Sequence, residues 1–376
     1  MSGRPDVIVV GAGVVGAACA RELAAEGLSV EVYDRDGVGA GATSAAMGHL
    51  VAIDGRELEL SAASVELWRG LAGALSEDCG HVHSGTLWVA AGPREIAGLE
   101  RRAAGYAARG VELEWLRGDA LARREPALRP GLAGALRVPG DQLVYPPAAA
   151  RWLLEQAMER GARVLLGRAV QAVDGRGVQL TGGAWRSAGQ VVVAAGLGSR
   201  ALLRPLLGVV PLAPRKGHLA VTARGPALCR HQLVEASYLD SVHGESGCSV
   251  AMNIQPRPGG QLLVGSSRQR GVSDLEVEPA LLGRMLARAC DFMPSLAERS
   301  VLRAWCGLRP ATPDGLPLIG PVPSCHGLWL AAGHEGLGIT TSLATAELIT
   351  DQMLGRRGAL DPAPYCLGRF EGREVA

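Results

Sequence analysis

The stretch from Val7 to Gly16 constrains this chain most. The run Val7, Ile8, Val9 and Val10 is followed at once by Gly11-Ala12-Gly13-Val14-Val15-Gly16 and then by alanines, a leucine and charges up to Glu26. A β-branched run predicts a strand, the alanine-rich stretch predicts a helix, and Gly27 is a helix stop. Three glycines at these spacings each have a physical task. The first permits a tight turn, the second lets the backbone reach a pyrophosphate, and the third lets helix pack closely on strand. The helix N-terminus then offers amides and partial positive charge to phosphates. A second strand at Val30, Val32 and Tyr33 ends at Asp34, eighteen residues past Gly16, where a carboxylate can accept from ribose hydroxyls. The first 34 residues therefore read as one βαβ dinucleotide cradle. The acid disfavours a 2′-phosphate but leaves FAD and NAD both open.

Length and charge narrow the partners. At 376 residues the chain accommodates two domains, or one α/β unit with an insertion. Basic and acidic side chains number 38 and 37, so no global field favours nucleic acid or an anionic membrane. The eight cysteines lie far apart and never approach zinc or iron–sulfur spacing, so no metal site is expected and the thiols suit a reducing compartment. Arg4, the apolar stretch Val7 to Ala20 and Ala18-Cys19-Ala20 imitate a secretory signal, but cleavage there would destroy the glycine loop. The run is also shorter than the roughly 18 residues of a membrane span. A cytoplasmic protein without a membrane span is the expectation. Lys216 is the sole lysine among the basic residues.

Further along, Val191 to Ala195 and Leu328 to Ala332 read as buried strands of the same parallel sheet, each ending in glycine. Between them Leu219 to Thr222, Ser249 to Ile254 and Leu262 to Gly265 have the half-exposed texture of an antiparallel sheet. Ala148 to Arg160 reads as a helix entered from a turn at Gln142 to Pro147. The expected fold is α/β: a Rossmann-like dinucleotide-binding domain over residues 1–85, 145–205 and 300–376. An inserted α+β domain with an antiparallel sheet, over 86–144 and 206–299, is expected to bind substrate.

Thr43 and Ser44 lie in Gly41-Ala42-Thr43-Ser44-Ala45-Ala46-Met47-Gly48, where short hydroxyls in a glycine-rich loop make good phosphate donors. This loop resembles the one beside the flavin in the FAD-dependent D-amino-acid oxidase-like (DAO) family, which includes glycine oxidase and sarcosine oxidase. The resemblance continues at Val191 to Arg200, at GLRPATPDGLPLIG from Gly307 to Gly320, and at GHEGLGITTS from Gly333 to Ser342. It implies FAD held by Gly11, Ala12, Gly13, Val14, Val15, Gly16, Asp34 and Arg35, by Thr43 to His49, and by Val170 beside the adenine. Ala194, Ala195 and Gly196 would pack on the nucleotide, and the Rossmann-like domain would be an FAD-binding domain of glutathione-reductase type. Gly307, Arg309, Gly333, Glu335, Gly336, Leu337, Gly338, Ile339 and Thr340 would complete the flavin site, the late glycine loop donating amides to the ring edge that becomes anionic on reduction.

By the same resemblance Arg309 pairs with a substrate carboxylate, a contact that suits a guanidinium fork. His334 and Glu335 are the other candidate catalytic residues, His334 and Lys216 the other candidate substrate contacts. His49 could lie over the flavin or carry a covalent link to it. Glu335 and Gly336 stand where glycine oxidase carries bulkier residues, and His49 where it carries an aliphatic one. These departures, with Arg215-Lys216-Gly217-His218 and Asn253 to Arg257, resemble the flavin-carrying chains of multi-subunit amine dehydrogenases: those of D-hydroxyproline dehydrogenase, opine oxidase and hydrogen cyanide synthase. The implied activity is oxidation of the C–N bond of a small D- or secondary amino acid such as D-hydroxyproline. Partner redox subunits with FAD, FMN or iron–sulfur centres would take the electrons. Three alternatives stay open: a glycine- or sarcosine-type oxidase, an FAD protein without turnover, and an NAD-dependent dehydrogenase.

Overall fold

Four consecutive β-branched residues without a polar group make a strand that must be covered on both faces, and Val7–Val10 is so covered. Val7 and Val9 point into one apolar cluster and Ile8 and Val10 into another, the period-2 alternation of a pleated strand. The computed structural model describes residues 3–238 and 247–370. Val7–Val10 is an inner strand of a six-stranded sheet. In order, that sheet runs Leu318–Pro321, Leu328–Ala332, Gln190–Val193, Val7–Val10, Val30–Tyr33 and Arg163–Leu165. Every pairing is parallel except that of Leu318–Pro321 with Leu328–Ala332. Helices Val14–Ala25, Pro146–Glu159 and Gly338–Met353 cover one face. The small sheet of Val170–Asp174, Gly177–Leu180 and Trp185–Ser187 lies on the other.

The second sheet has eight strands: Val301–Ala311, Ala213–Thr222, Leu262–Arg270, Cys248–Pro256, Gln232–Glu235, Thr86–Ala90, Gly134–Val138 and Glu114–Leu116. It is antiparallel except where Gln232–Glu235 runs parallel to Thr86–Ala90. Its Leu87 and Val89 face the cluster beneath the helix Pro279–Phe292, and Trp88 and Ala90 face a separate one.

One boundary differs from the expectation. Residues 300–376 do not lie wholly within the nucleotide fold, because Val301–Ala311 is the edge strand of the eight-stranded sheet, paired with Ala213–Thr222 along its length. The nucleotide sheet resumes only at Leu318. Arg309 therefore belongs to the second sheet and reaches toward the first. Among the described residues no helix is long and apolar enough to cross a membrane.

Candidate active site

The two sheets enclose a cavity of about 580 Å³, within the range of small-molecule sites. At its nucleotide end Gly11 has φ +117°, and a Cβ there would stand 2.5 Å from the Ala194 carbonyl oxygen, so only glycine lets the first turn pass under the neighbouring strand. The Gly11 amide donates to the Tyr33 carbonyl, and the Ala12 amide to Asp34 Oδ2 at 2.7 Å. Thr43 Oγ1 accepts from the Val14 amide at 3.1 Å, tying the second loop to the helix start. Gly11, Gly13 to Val15, Asp34, Arg35, Val170 and Ala194 to Gly196 all line the cavity, as do Thr43, Ala45 and Ala46. These residues suit FAD: amides and a helix start for pyrophosphate, with a carboxylate at the adenosine end.

Met47, Gly48 and His49 continue the wall. The Gly48 carbonyl accepts from the Val144 amide, and Arg257 donates to the Met47 and Val144 carbonyls, fixing the loop from behind. His49 Nε2 lies 2.7 Å from Thr86 Oγ1 and 3.9 Å from Asp141 Oδ2. Burial pushes the imidazole down to about 3 and lifts the Asp141 carboxyl to about 7, against the Thr86 hydroxyl and Ala52 amide that favour its charged form. Both groups are therefore neutral in most of the mildly acidic range. Thr340 Oγ1 donates to the His49 carbonyl, which joins this loop to the helix Gly338–Met353.

The opposite wall is built of arginines. In the eight-stranded sheet Arg215 stands directly across from Arg309 on one side and Arg270 on the other. A Cβ at Gly217 would lie 2.3 Å from Arg309 Nη2, so glycine there gives the guanidinium its room. Arg309 Nη1 donates to the Ser267 carbonyl at 3.1 Å. Arg268 stacks on the Tyr238 ring, its guanidinium carbon 4.6 Å from the ring centre, and donates to the Tyr238 hydroxyl. Glu335 completes the wall: its Oε1 is 3.2 Å from Arg268 Nε, 3.7 Å from Arg215 Nη1 and 4.0 Å from Arg309 Nη1. Burial alone would raise its carboxyl, but Arg268, Arg309 and Arg215 outweigh that and bring it down to about 2. Glu335 is thus an anion at neutral pH, unable to donate a proton. Its backbone is left-handed, φ +46°, a conformation costing a non-glycine residue on the order of 1 kcal/mol. The ion pairs and the Gly336 amide, which donates to its Oε2, hold it there.

Several expected site residues fall elsewhere. Lys216 does not face the cavity. Along Ala213–Thr222 side chains alternate, so Arg215, Gly217 and Leu219 line the wall while Lys216 points behind it to Asp274 at 2.7 Å and Glu278 at 3.4 Å. Ser44 donates to the Ala40 and Gly41 carbonyls, shaping its loop instead of facing the phosphate section. Ala12, Gly16, Gly333 and Thr340 pack behind the lining; a Cβ at Gly16 would lie 2.0 Å from the Gly11 carbonyl oxygen. His334 reaches the cavity, but its Nε2 is 3.0 Å from Thr345 Oγ1 on the helix behind, and burial keeps it neutral by pushing it down to about 3. Gly307 and Gly336 to Ile339 line the cavity as expected. Arg268, Tyr238 and Asp141 are site residues that the sequence does not announce. Arg268 and Arg270, two apart at a strand end, carry the one readable signal.

Comparison with known proteins agrees with this geometry. The family model described as FAD dependent oxidoreductase, DAO, matches residues 6–352. The chain is 33% identical to glycine oxidase of Geobacillus kaustophilus, over 99% of both chains. It is 28% identical to the hydrogen cyanide synthase protein HcnC of Pseudomonas aeruginosa, over 99% of this chain and 97% of that one. The crystal structure of the Geobacillus kaustophilus glycine oxidase superposes with a TM-score of 0.87 at 31% identity, covering 99% of this chain and all of that one. A βαβ cradle, a second cavity-lining loop and a late glycine loop around one cavity, together with a family match along nearly the whole length, place this chain in the DAO family of FAD-dependent oxidoreductases.

Proposed function

We propose that the protein oxidises the carbon–nitrogen bond of a small amino acid, D-configured or secondary at nitrogen as in D-hydroxyproline, to an imine. The observation that carries this reading is the Arg309 guanidinium, set in the arginine row of the cavity wall with Gly217 on the neighbouring strand leaving it room. A guanidinium fork there binds a carboxylate through two parallel hydrogen bonds. FAD bound in the cavity supplies the acceptor for the hydride that leaves the substrate α-carbon. As that C–H bond breaks, the nitrogen lone pair forms the C=N bond and the N–H proton passes to solvent. Water then hydrolyses the imine unless it is cyclic.

The chain's own contribution is chiefly placement. Arg309 fixes the carboxylate. Glu335 is ionised and paired, and His334 and His49 are neutral and hydrogen-bonded to threonines, so none of the three is poised to trade protons at neutral pH. Trp88, Val234 and Leu337 present apolar surface that keeps water from the reacting carbon.

Glycine is the second reading for the substrate, supported about equally by the likeness to glycine oxidases. The likeness to HcnC, named as a subunit of its synthase, supports action within a larger complex whose partner chains carry the electrons away. Eight unpaired cysteines support a reducing, cytoplasmic setting. The test is anaerobic reduction of the bound flavin by a panel of D-amino acids, D-hydroxyproline, glycine and N-alkyl glycines, followed by reoxidation with air or an artificial dye. Bleaching by a D- or secondary amino acid with reoxidation by dye alone is expected. Rapid reoxidation by air after glycine would favour the oxidase reading, and no bleaching by any amino acid would refute both.

A further inference from the structure

The arginine wall holds more positive charge than one carboxylate requires. Arg270, Arg215 and Arg309 stand directly opposite one another on three adjacent strands. Like charges in such cross-strand pairs destabilise a sheet. Arg268 adds a fourth guanidinium, on the cavity face of the same strand as Arg270. Burial and the neighbouring Arg268, Arg270 and Arg309 all depress the Arg215 guanidinium, with Glu335 alone opposing them. Arg270 is exposed at the rim and its charge is solvated, so among the described residues Arg215, Arg268 and Arg309 against Glu335 leave a surplus of two positive charges. A monocarboxylate held by Arg309 still leaves one.

Among the described residues the cavity's remaining carboxylates stand at other places, Asp36 beside Arg35 at the nucleotide end. Asp34 accepts from the Ala12 and Asp36 amides at the nucleotide end, and Asp314 pairs with Arg369 and Arg56. Glu57 lies against Gly315, beside Asp314. Uncompensated buried charge is expensive, and Arg215 and Arg309, largely buried, share with Arg268 the single carboxylate of Glu335. A row of cations kept on a cavity face is the arrangement expected of an anion site.

Resting on the reading that Arg309 binds the carboxylate of an amino acid, we propose that the substrate carries a second acidic group, held by Arg215 and Arg268. The substrate class is then an amino or imino dicarboxylic acid. Glu335 tunes this subsite: it spaces the guanidiniums and cancels one of their charges, so that the cavity prefers a dianion without holding it too tightly for release.

Direct binding tests this apart from turnover. The FAD-loaded enzyme is titrated with propionate, butyrate and valerate and with malonate, succinate and glutarate, reading the shift of the flavin absorption band. The best dicarboxylate is expected to bind at least about tenfold tighter than the monocarboxylate of equal chain length. That ratio should shrink several-fold between about 0.02 and 0.3 M salt. The variants give opposite signs: Arg215→Gln lowers the ratio and Glu335→Gln raises it, whereas a merely structural role for both would lower it in both. Equal binding of the two series, or a ratio unmoved in both variants, overturns the proposal. Dicarboxylate preference without bleaching by any amino or imino acid would instead overturn the reading it rests on and leave an anion site.

Discussion

Replacing Glu335 by glutamine keeps shape and hydrogen-bonding length but deletes the charge on which three guanidiniums converge. Its carboxyl sits at about 2 instead of an ordinary 4.5, and each tenfold change in protonation equilibrium is worth 1.36 kcal/mol. The ionised form is thus favoured by about 3 kcal/mol over a neutral one at this place. Unfolding a chain of 376 residues releases roughly 0.8 kcal/mol per degree near the midpoint, so Glu335→Gln should lower Tm by about 4 °C at pH 7. The sign with pH is fixed. A carboxyl depressed on folding stabilises above its unfolded value and loses that contribution as pH falls toward about 2. The gap between variant and parent should therefore be full at pH 6 to 7 and close progressively below about pH 4.5. Differential scanning calorimetry of the FAD-loaded proteins across that range makes the comparison. A Tm unchanged within about 1 °C at pH 7, or a gap independent of pH, would refute the claim that Glu335 is the ionic keystone of the wall.

Three further outcomes are expected. Arg309→Ala should raise KM roughly 100-fold, the loss of about 3 kcal/mol from a charge-assisted pair, while the purified protein retains its flavin; unchanged KM would remove Arg309 from the substrate site. Asp141→Asn removes a carboxyl that folding lifts to about 7, so parent stability is lost as pH rises from about 4 to about 7 and the variant escapes that loss. The variant's Tm should gain on the parent's by up to about 5 °C over that range, and a constant difference would show that Asp141 titrates normally. Lys216→Met should leave kcat/KM within about twofold, because its ammonium pairs with Asp274 and Glu278 behind the sheet; a large rise in KM would return it to the substrate site.

The nucleotide end is legible in the sequence because its signals are local: a β-branched run, three spaced glycines and an acid, all within 34 residues. The strand Leu328–Ala332 and its glycine loop are legible for the same reason. The arginine wall is not. Arg215, Arg268 and Arg309 meet only through the register of three strands drawn from residues 213 to 311, and pairing over such separations leaves no local trace. Lys216 draws the eye through its rarity, although the alternation of a strand with Gly217 and Arg215 facing inward already turns it away. The boundary near residue 300 is hidden because only residues 312–317 separate the antiparallel edge strand from the return to the nucleotide sheet.

The proposed reaction depends most on a flavin held in this cavity with Arg309 aiming a substrate at it. Absorbance of the purified protein during anaerobic titration with the amino-acid panel tests that directly, for parent and Arg309→Ala side by side. Both proteins should be yellow, with the parent bleached at low concentrations of an amino or imino acid and the variant only at roughly 100-fold higher ones. A colourless parent that takes up no added FAD, or equal bleaching of the two proteins, would contradict the account.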